Sequence, residues 1–472
     1  MPAMTIESYD VVVLGGGAAG LTAALAARHE GASVALVERE RRIGGDCTFY
    51  GCVPSKALID VAQTIHDARL AVAEGTLSGT IEVDFAHVTA HRSALVEQIA
   101  HDERDERFLA AGIAVHHGES TILGRHEIAV AGRTLQAGRL VIATGADPAV
   151  PPLPGLEAVP YLTNSTIFAL DRLPARLVVL GGGPTGLELA QAFRRFGSEV
   201  TVIELAERLL AAGELDTSAA IASVLADEGI DVRVGTSTER VTASGSEIAI
   251  RVAGGEALRC DALLVATGRQ AVLPPGAEAL GLQLDRGSIV IDERCRTTVP
   301  GVYAAGDVTG GLLATHVAAH EGSVAGRNAA GARTRTDRRV IPTVTFLDPE
   351  VARVGITEAE ARRTRRGVVA VTFPMAKVDR ARIAGNAAGF VKLVTAARPL
   401  LGRLGGGEIV GAEIVGLRAG ELIHEVALAM QTRAFAGRLA QMIHAYPAAS
   451  VAVQQAAAQL YPLGRLLADR NE

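Results

Sequence analysis

Two cysteines five positions apart, Cys47 and Cys52 in "GGDCTFYGCVPSK" (residues 44–56), are the residues of this chain most suited to redox or metal chemistry. They are two of only four cysteines in 472 residues, too few for the disulfide framework of a secreted scaffold. Zinc sites usually leave a two-residue gap between paired cysteines, and here the gap is four. In a reducing compartment a close cysteine pair is more often catalytic or metal-binding than structural. The other two, Cys260 in "LRCDALLVATG" and Cys295 in "DERCRTT", stand alone and read as small packing residues.

The elements that must position the pair are visible as an internal duplication. "YDVVVLGGGAAGLTAALAARHEGASVALVE" (9–38) and "ARLVVLGGGPTGLELAQAFRRFGSEVTVIE" (175–204) overlay without a gap. Each begins with a β-branched run that reads as a buried parallel strand. Each continues with G-x-G-x-x-G, an alanine- and leucine-rich helix, a helix-ending glycine (Gly31, Gly197) and a strand closing on an acid. The glycines are Gly15, Gly17 and Gly20 in the first copy and Gly181, Gly183 and Gly186 in the second. The acid, Glu38 or Glu204, falls 23 residues after the first glycine in both. The first glycine makes the tight turn, and the second lets backbone approach a pyrophosphate at the positive end of the helix. The third packs helix on strand, while the acid accepts from ribose hydroxyls. Two such sites imply two dinucleotides, a flavin and a nicotinamide. Glu204 would repel a 2′-phosphate and favours NADH over NADPH, a preference that Arg208 could soften.

Later segments repeat the duplicated design. "LVIATGADP" (140–148) and "LLVATGRQ" (263–270) are each a strand ending in Ala-Thr-Gly, placing Thr144, Gly145 and Gly268 at strand ends. "GVYAAGDVTG" (301–310) is a strand and a small-residue turn presenting Asp307. Beyond a basic stretch near 333–341, "TVTFLDPEVARVGIT", "GFVKLVT" and "EIVGAEIVG" read as antiparallel strands, with "LLGRLGGG" as a loose hairpin connection. "AGELIHEVALAMQTRA" reads as a helix with Leu422, Val426 and Met430 as its apolar stripe. The expected fold is therefore α/β, with two Rossmann-type dinucleotide-binding domains and a C-terminal α+β module. The expected boundaries are 1–150, 151–272, 273–338 and 339–472.

Composition narrows the function. A net charge of −6 supplies no concentrated positive field for nucleic acid. The runs "RERR" (39–42) and "RTRTDRR" (333–339) are short and read as solvated loops. The N-terminus lacks the pattern of a secretory signal, and no apolar run approaches the ~20 residues that span a bilayer. A cytoplasmic location is the expectation.

In these ordered motifs the chain resembles the pyridine nucleotide–disulfide oxidoreductases, the family of dihydrolipoamide dehydrogenase, glutathione reductase and mercuric reductase. "GGDC…GCVPSK", "ELAQAF…GSEVTVIE" and "VDRARI" are the closest in flavour to the lipoamide-dehydrogenase-like and mercuric-reductase-like members. The resemblance implies FAD on the first glycine motif, NAD(P)H on the second, Asp307 at the ribityl chain, and a C-terminal domain that builds a homodimer. It also places His316 among the cofactor-binding positions. It implies a redox disulfide in which Cys52 faces the flavin and Cys47 meets the acceptor, with Lys56 beside the flavin and paired to Glu188. In a regular helix, positions five apart have Cα atoms about 8.6 Å from each other, and a disulfide needs less than about 7 Å. The helix start must then be distorted, which Gly51 and Pro54 permit. A lysine and a helix N-terminus nearby would favour thiolate.

The C-terminus departs from the disulfide-reducing pattern. Those members carry a motif like His-Pro-Thr-x-x-Glu, donated across the dimer interface, whose histidine is the acid–base for thiol exchange. In "IHAYPAASVAVQQAA" (443–457), Tyr446 stands at that histidine's place and Val451 at the glutamate's, while His444 lies two residues earlier. Tyrosine there is familiar from mercuric reductases, yet the chain's last cysteine is Cys295, so their paired cysteine tail is not matched. Nor is their N-terminal metal-capturing domain. The implied reaction is hydride transfer from NADH or NADPH through FAD to Cys47–Cys52, then to a disulfide acceptor, or the reverse on a dithiol. A metal ion, a quinone or another electrophile is the alternative acceptor. A flavin-containing redox sensor or complex subunit is the non-catalytic one.

Overall fold

The computed structural model describes residues 5–245 and 247–460. Among them, Val11-Val12-Val13-Leu14 forms the fully buried end of the strand Thr5–Leu14, as a parallel strand covered on both faces must be apolar where it is covered. Val34–Glu38 and Ile113–His117 pair parallel on one side of it, and Arg133–Ile142 pairs parallel on the other. The antiparallel strands Glu127–Val130 and Ser120–Gly124 extend this sheet, and Val302–Ala304 returns to pair with Arg133–Ile142. The chain therefore leaves the first sheet after residue 142 and rejoins it at 302.

The excursion contains the second copy. Asp231–Arg233, Glu199–Ile203, Arg176–Leu180 and Ala262–Val265 form a parallel sheet in that order, with a three-stranded antiparallel layer from Thr238–Ser244 to Ala257–Cys260. Pro184 at the start of helix Pro184–Phe196 costs no hydrogen bond there, and Gly197 (φ 124°) ends that helix. The third module is a five-stranded antiparallel sheet. In it, Phe390–Ala396 and Glu408–Gly416 are joined through the "LLGRLGGG" connection. The whole is the expected α/β arrangement with an α+β C-terminal module. No helix among the described residues is long and apolar enough to cross a membrane.

Three expectations need correction. Val369–Pro374 is an edge strand that was not anticipated, since its single partner leaves its pattern only partly buried. On helix Ala419–Gln431 the inward positions are Ile423, Val426, Ala427 and Met430, while Leu422 is only partly buried. The true stripe runs through 423 because 423, 426, 427 and 430 share one helical face. The run 333–339 is not simply solvated: Arg338 reaches the buried Glu321 at 2.6 Å, and Arg339 pairs with Asp337 at 2.7 Å.

Cys260 and Cys295 are fully buried, as packing residues should be. Helix Thr315–Ala329 lies so close to helix Ala18–His29 that a Cβ at Gly322 would collide with the Ala19 carbonyl, and one at Gly326 with that of Ala23. This contact fixes the distance between the first glycine loop and the turn bearing Asp307. Gly322→Ala should therefore lower unfolding stability by about 1–3 kcal/mol, the usual cost of overpacking, measured by denaturant titration. An unchanged midpoint would mean that the two helices can separate freely.

Candidate active site

Both glycine loops are built alike. Gly15 (φ 105°) and Gly181 (φ 116°) take backbone conformations that other residues rarely adopt, each against the carbonyl of Ala143 or Ala266 at the end of the neighbouring strand. Cβ atoms at Gly20 and Gly186 would strike the carbonyls of Gly15 and Gly181, so these third glycines serve helix–strand packing. At Gly183 a Cβ would meet nothing within 4 Å, which leaves room for a ligand's phosphates. Each strand-ending acid anchors its loop. Glu38 accepts from Gly16 N–H at 2.6 Å and Glu40 N–H at 2.9 Å. Glu204 accepts from Gly182 N–H at 2.5 Å and Ala206 N–H at 2.7 Å.

The loops open on one continuous cleft of about 1420 Å³. Its walls include Gly15, Gly17, Glu38, Thr144, Gly145 and Asp307 on one side, and Gly181, Gly183, Glu204 and Gly268 on the other. Cys47, Cys52, Lys56 and Glu188 lie along the same cleft. A cleft this long, with two phosphate-sized backbone cradles and no Cβ atoms in them, fits two dinucleotides. Burial raises the pKa of the Asp307 carboxyl, with the Arg269 guanidinium 3.5 Å away opposing the rise.

The cysteines occupy two different helices. Cys47 is on the short helix Gly45–Phe49, and Cys52 begins the long helix Cys52–Ala73. The break falls at Tyr50 and Gly51, the latter at φ −128°, ψ −110°, so the helix start is distorted as the spacing requires. Both thiols are free. The hydrogen bond from Cys47 is the main cause that lowers the Cys52 pKa, to about 6; the Thr315 hydroxyl and the Lys56 ammonium add to it against burial. The same contact with Cys52, with burial, pushes the Cys47 thiol far up. These contacts favour the thiolate at Cys52 over Cys47. The Cys52 sulfur is 3.2 Å from Thr315 Oγ1, and Lys56 Nζ is 2.7 Å from Glu188 Oε2.

Within one chain, three expected residues lie apart from this group, two of them on the segment whose counterpart in the family is donated across the dimer interface. His316 faces the Pro342 carbonyl at 2.9 Å and is outside the cleft lining; its neighbour Thr315 lines the cleft instead. His444 is paired through Nε2 to Glu425 at 2.8 Å, and its Nδ1 faces the Met442 carbonyl at 3.1 Å. Both ring nitrogens are thus engaged within its own chain. Tyr446 is 76% exposed and donates to Asp379 Oδ2 at 2.8 Å, a bond that raises its pKa further from a neutral-pH base. The C-terminal tail beyond 460 lies outside the described residues. Arg208 corrects another expectation. Its guanidinium bonds Ser218 Oγ and the carbonyls of Ala211, Gly213 and Glu214, so it is held away from the second nucleotide site.

Sequence reasoning missed Thr315, Asp46, Arg269 and Asn164. Arg269 Nη1 pairs with Asp46 Oδ2 at 2.9 Å, while Asn164 donates to Asp46 Oδ1 at 3.3 Å and to the Tyr50 carbonyl at 3.2 Å. These contacts clamp the short cysteine helix between the two halves. Arg269 directly follows the second Ala-Thr-Gly, where the first copy has Ala146; that difference between the copies was the available signal.

Two nucleotide cradles meeting at a polarised cysteine pair define a thiol oxidoreductase that works with two dinucleotide cofactors. Comparison with known proteins makes the class specific. Residues 9–322 match the pyridine nucleotide-disulphide oxidoreductase family, and residues 341–457 match the dimerisation domain of that family. The chain belongs to this family and is an FAD- and NAD(P)H-dependent oxidoreductase. It is 34% identical over 444 residues to a mercuric reductase of Bacillus cereus, covering 93% of this chain and 69% of that relative. It is 36% identical over 471 residues to a dihydrolipoyl dehydrogenase of Thermus scotoductus, covering 97% and 98%. The Cu(II) complex of the HOCl-induced flavoprotein disulfide reductase RclA from Escherichia coli superposes with a TM-score of 0.86 at 28% identity, covering 96% of this chain and all of that one.

Thr315→Val should raise the pH midpoint of Cys52 thiolate formation from about 6 by about one unit, as expected for a lost hydrogen bond to a charged group. The pH profile of iodoacetamide alkylation of the reduced protein reads this. A superimposable profile would show that Thr315 contributes nothing.

Proposed function

We propose that this protein draws two electrons from NADH into the Cys47–Cys52 pair and delivers them to a disulfide acceptor, or runs in reverse on a dithiol. The observation that carries this reading is the Cys52 thiol, polarised by Cys47, Thr315 and Lys56 in the cleft that both glycine loops share. Gly15, Gly17, Glu38, Thr144, Gly145 and Asp307 would hold FAD, and Gly181, Gly183, Glu204 and Gly268 the nicotinamide cofactor. When bound, FAD relays hydride equivalents between the nicotinamide and the cysteines. Lys56, fixed by Glu188, keeps a positive charge beside Cys52 and favours its thiolate. Cys47 gives up its proton as its sulfur attacks one sulfur of the acceptor disulfide, and that proton goes to the departing R–S⁻; the Cys52 thiolate then attacks Cys47, re-forming the Cys47–Cys52 disulfide and releasing the second R–S⁻, which takes a proton from solvent. The balance is NADH, one proton and R–S–S–R giving NAD⁺ and two thiols.

Glu204 favours NADH, and with Arg208 committed to its own loop no guanidinium offsets it. The chain divides into FAD-binding parts at 1–150 and 273–338, a nicotinamide-binding part at 151–272 and an interface part at 339–472. The return of Val302–Ala304 to the first sheet supports that division. The last part would join two copies in a homodimer; the exposed Leu400, Ile443 and Tyr446 on it support this. The cytoplasm, which supplies reduced nicotinamide, suits the chemistry.

A second reading is reduction of a soft metal ion. It is favoured by Tyr446 at the exchange-base position and by His444 having both nitrogens engaged. A thiophilic ion displaces thiol protons directly and needs no histidine base. The mercuric reductase relatives and the Cu(II)-bound neighbour give it chemical precedent.

Anaerobic turnover with lipoamide, glutathione disulfide, quinones, Hg(II) and Cu(II) separates the readings. Cys47→Ser should abolish reduction of the true acceptor while flavin reduction by NADH survives. Quinone reduction unchanged in that variant, with every thiol-reactive acceptor inert in the wild type, would favour direct transfer from FAD. Absence of flavin bleaching by either nicotinamide would overturn the enzymatic reading. NADH should be preferred over NADPH in kcat/KM by on the order of tenfold, equivalent to ~1.4 kcal/mol; equal use would remove the role assigned to Glu204.

A further inference from the structure

Helix Pro184–Phe196 carries Glu188, Gln191 and Arg195 on one face, and all three are buried. Each engages the same short segment of the C-terminal module. Glu188 Oε1 accepts from Phe346 N–H at 2.8 Å. Gln191 accepts from Asp348 N–H at 2.9 Å and donates to the Asp348 carbonyl at 2.8 Å. Arg195 pairs with Asp348 Oδ2 at 2.9 Å. The result is a polar zipper that seats residues 346–348 against the helix bearing Glu188.

At the end of that zipper, the ammonium of Lys56 lies 4.6 Å from the centroid of the Phe346 ring. Lys56 is therefore held by two groups fixed through the same segment. Its ion-pair partner Glu188 rests on the Phe346 backbone, and the negative face of the Phe346 ring takes the other side of the ammonium. We propose that Phe346 is a positioning residue for the redox site, through which the seating of the C-terminal module sets the location of the Lys56 charge beside Cys52. This rests on the reading that Lys56 and Cys52 serve flavin-linked thiol chemistry. It adds a residue more than 250 positions from the cysteines that touches neither of them.

The groups that influence ionisation of Cys52 are the Cys47 thiol, the Thr315 hydroxyl, the Lys56 ammonium and the Glu188 carboxylate. Loss of the ring frees the ammonium to sample positions further from the sulfur, which weakens its pull on the thiolate. In the flavin-loaded, two-electron-reduced protein, Phe346→Leu should move the pH midpoint of Cys52 thiolate formation upward by about half a unit, the size of a partly exposed cation–π contact. Two probes read that midpoint: thiolate–flavin long-wavelength absorbance and the rate of thiol alkylation. Phe346→Tyr, which keeps the ring, should titrate like the wild type. In a Lys56→Met background the leucine substitution should have no further effect.

A wild-type midpoint in Phe346→Leu would overturn the proposal. So would an equal shift in the tyrosine variant, or a shift that persists without Lys56. Loss of folding or flavin in Phe346→Leu leaves the tyrosine variant to decide, since a displaced midpoint there contradicts the role of the ring. If the wild type itself showed no long-wavelength absorbance, the functional reading would fall, while the alkylation profile would still report on Phe346.

Discussion

A carboxylate as buried as that of Glu188 requires a cation, and the cation it finds is Lys56, 132 residues earlier in the chain and 2.7 Å away. That one ion pair brings together the helix that begins at Cys52 and the helix that opens the second glycine loop. Neither glycine motif alone specifies how two nucleotide-binding modules should face each other. The pair does, because removing either partner leaves an uncompensated charge where water cannot fully reach. Around that contact the same two helices share an apolar core that includes Leu58, Ala62, Leu189 and Phe193.

A second consequence concerns the division of labour within the cysteine pair. One thiol is depressed and the other raised by a single shared hydrogen bond. A negative charge on the reduced pair is favoured at Cys52, with Lys56 and the Thr315 hydroxyl lowering its pKa. The proton stays with Cys47, on the acceptor-facing side in our reading. Towards the C-terminus the Tyr446 hydroxyl bonds Asp379, and the two ring nitrogens of His444 face Glu425 and the Met442 carbonyl.

How much of this was legible in the sequence depended on whether the determining contact is local. The two strand–loop–helix–strand repeats were readable because in each the strands, glycine loop and acid lie within a continuous segment of about 30 residues. Local spacing also required the broken helix between Cys47 and Cys52, and the break sits at Tyr50 and Gly51. Thr315 was missed in favour of His316 because a helix N-terminus gives no register from sequence; one position turns a side chain by about 100°. Arg208 was misjudged because its partners are loop carbonyls, which no residue type announces. Asp46, Asn164, Arg269 and Phe346 come from four separate segments and acquire meaning only when the fold assembles them.

The central claim is that Cys47 and Cys52 form one redox unit with the flavin. One equivalent of NADH added under argon to the oxidised, FAD-loaded protein tests it most directly, with thiols counted and the flavin spectrum recorded together. The account predicts two new titratable thiols per chain, with the main flavin absorbance band retained. Bleaching of that band by the first equivalent with no new thiols would contradict it.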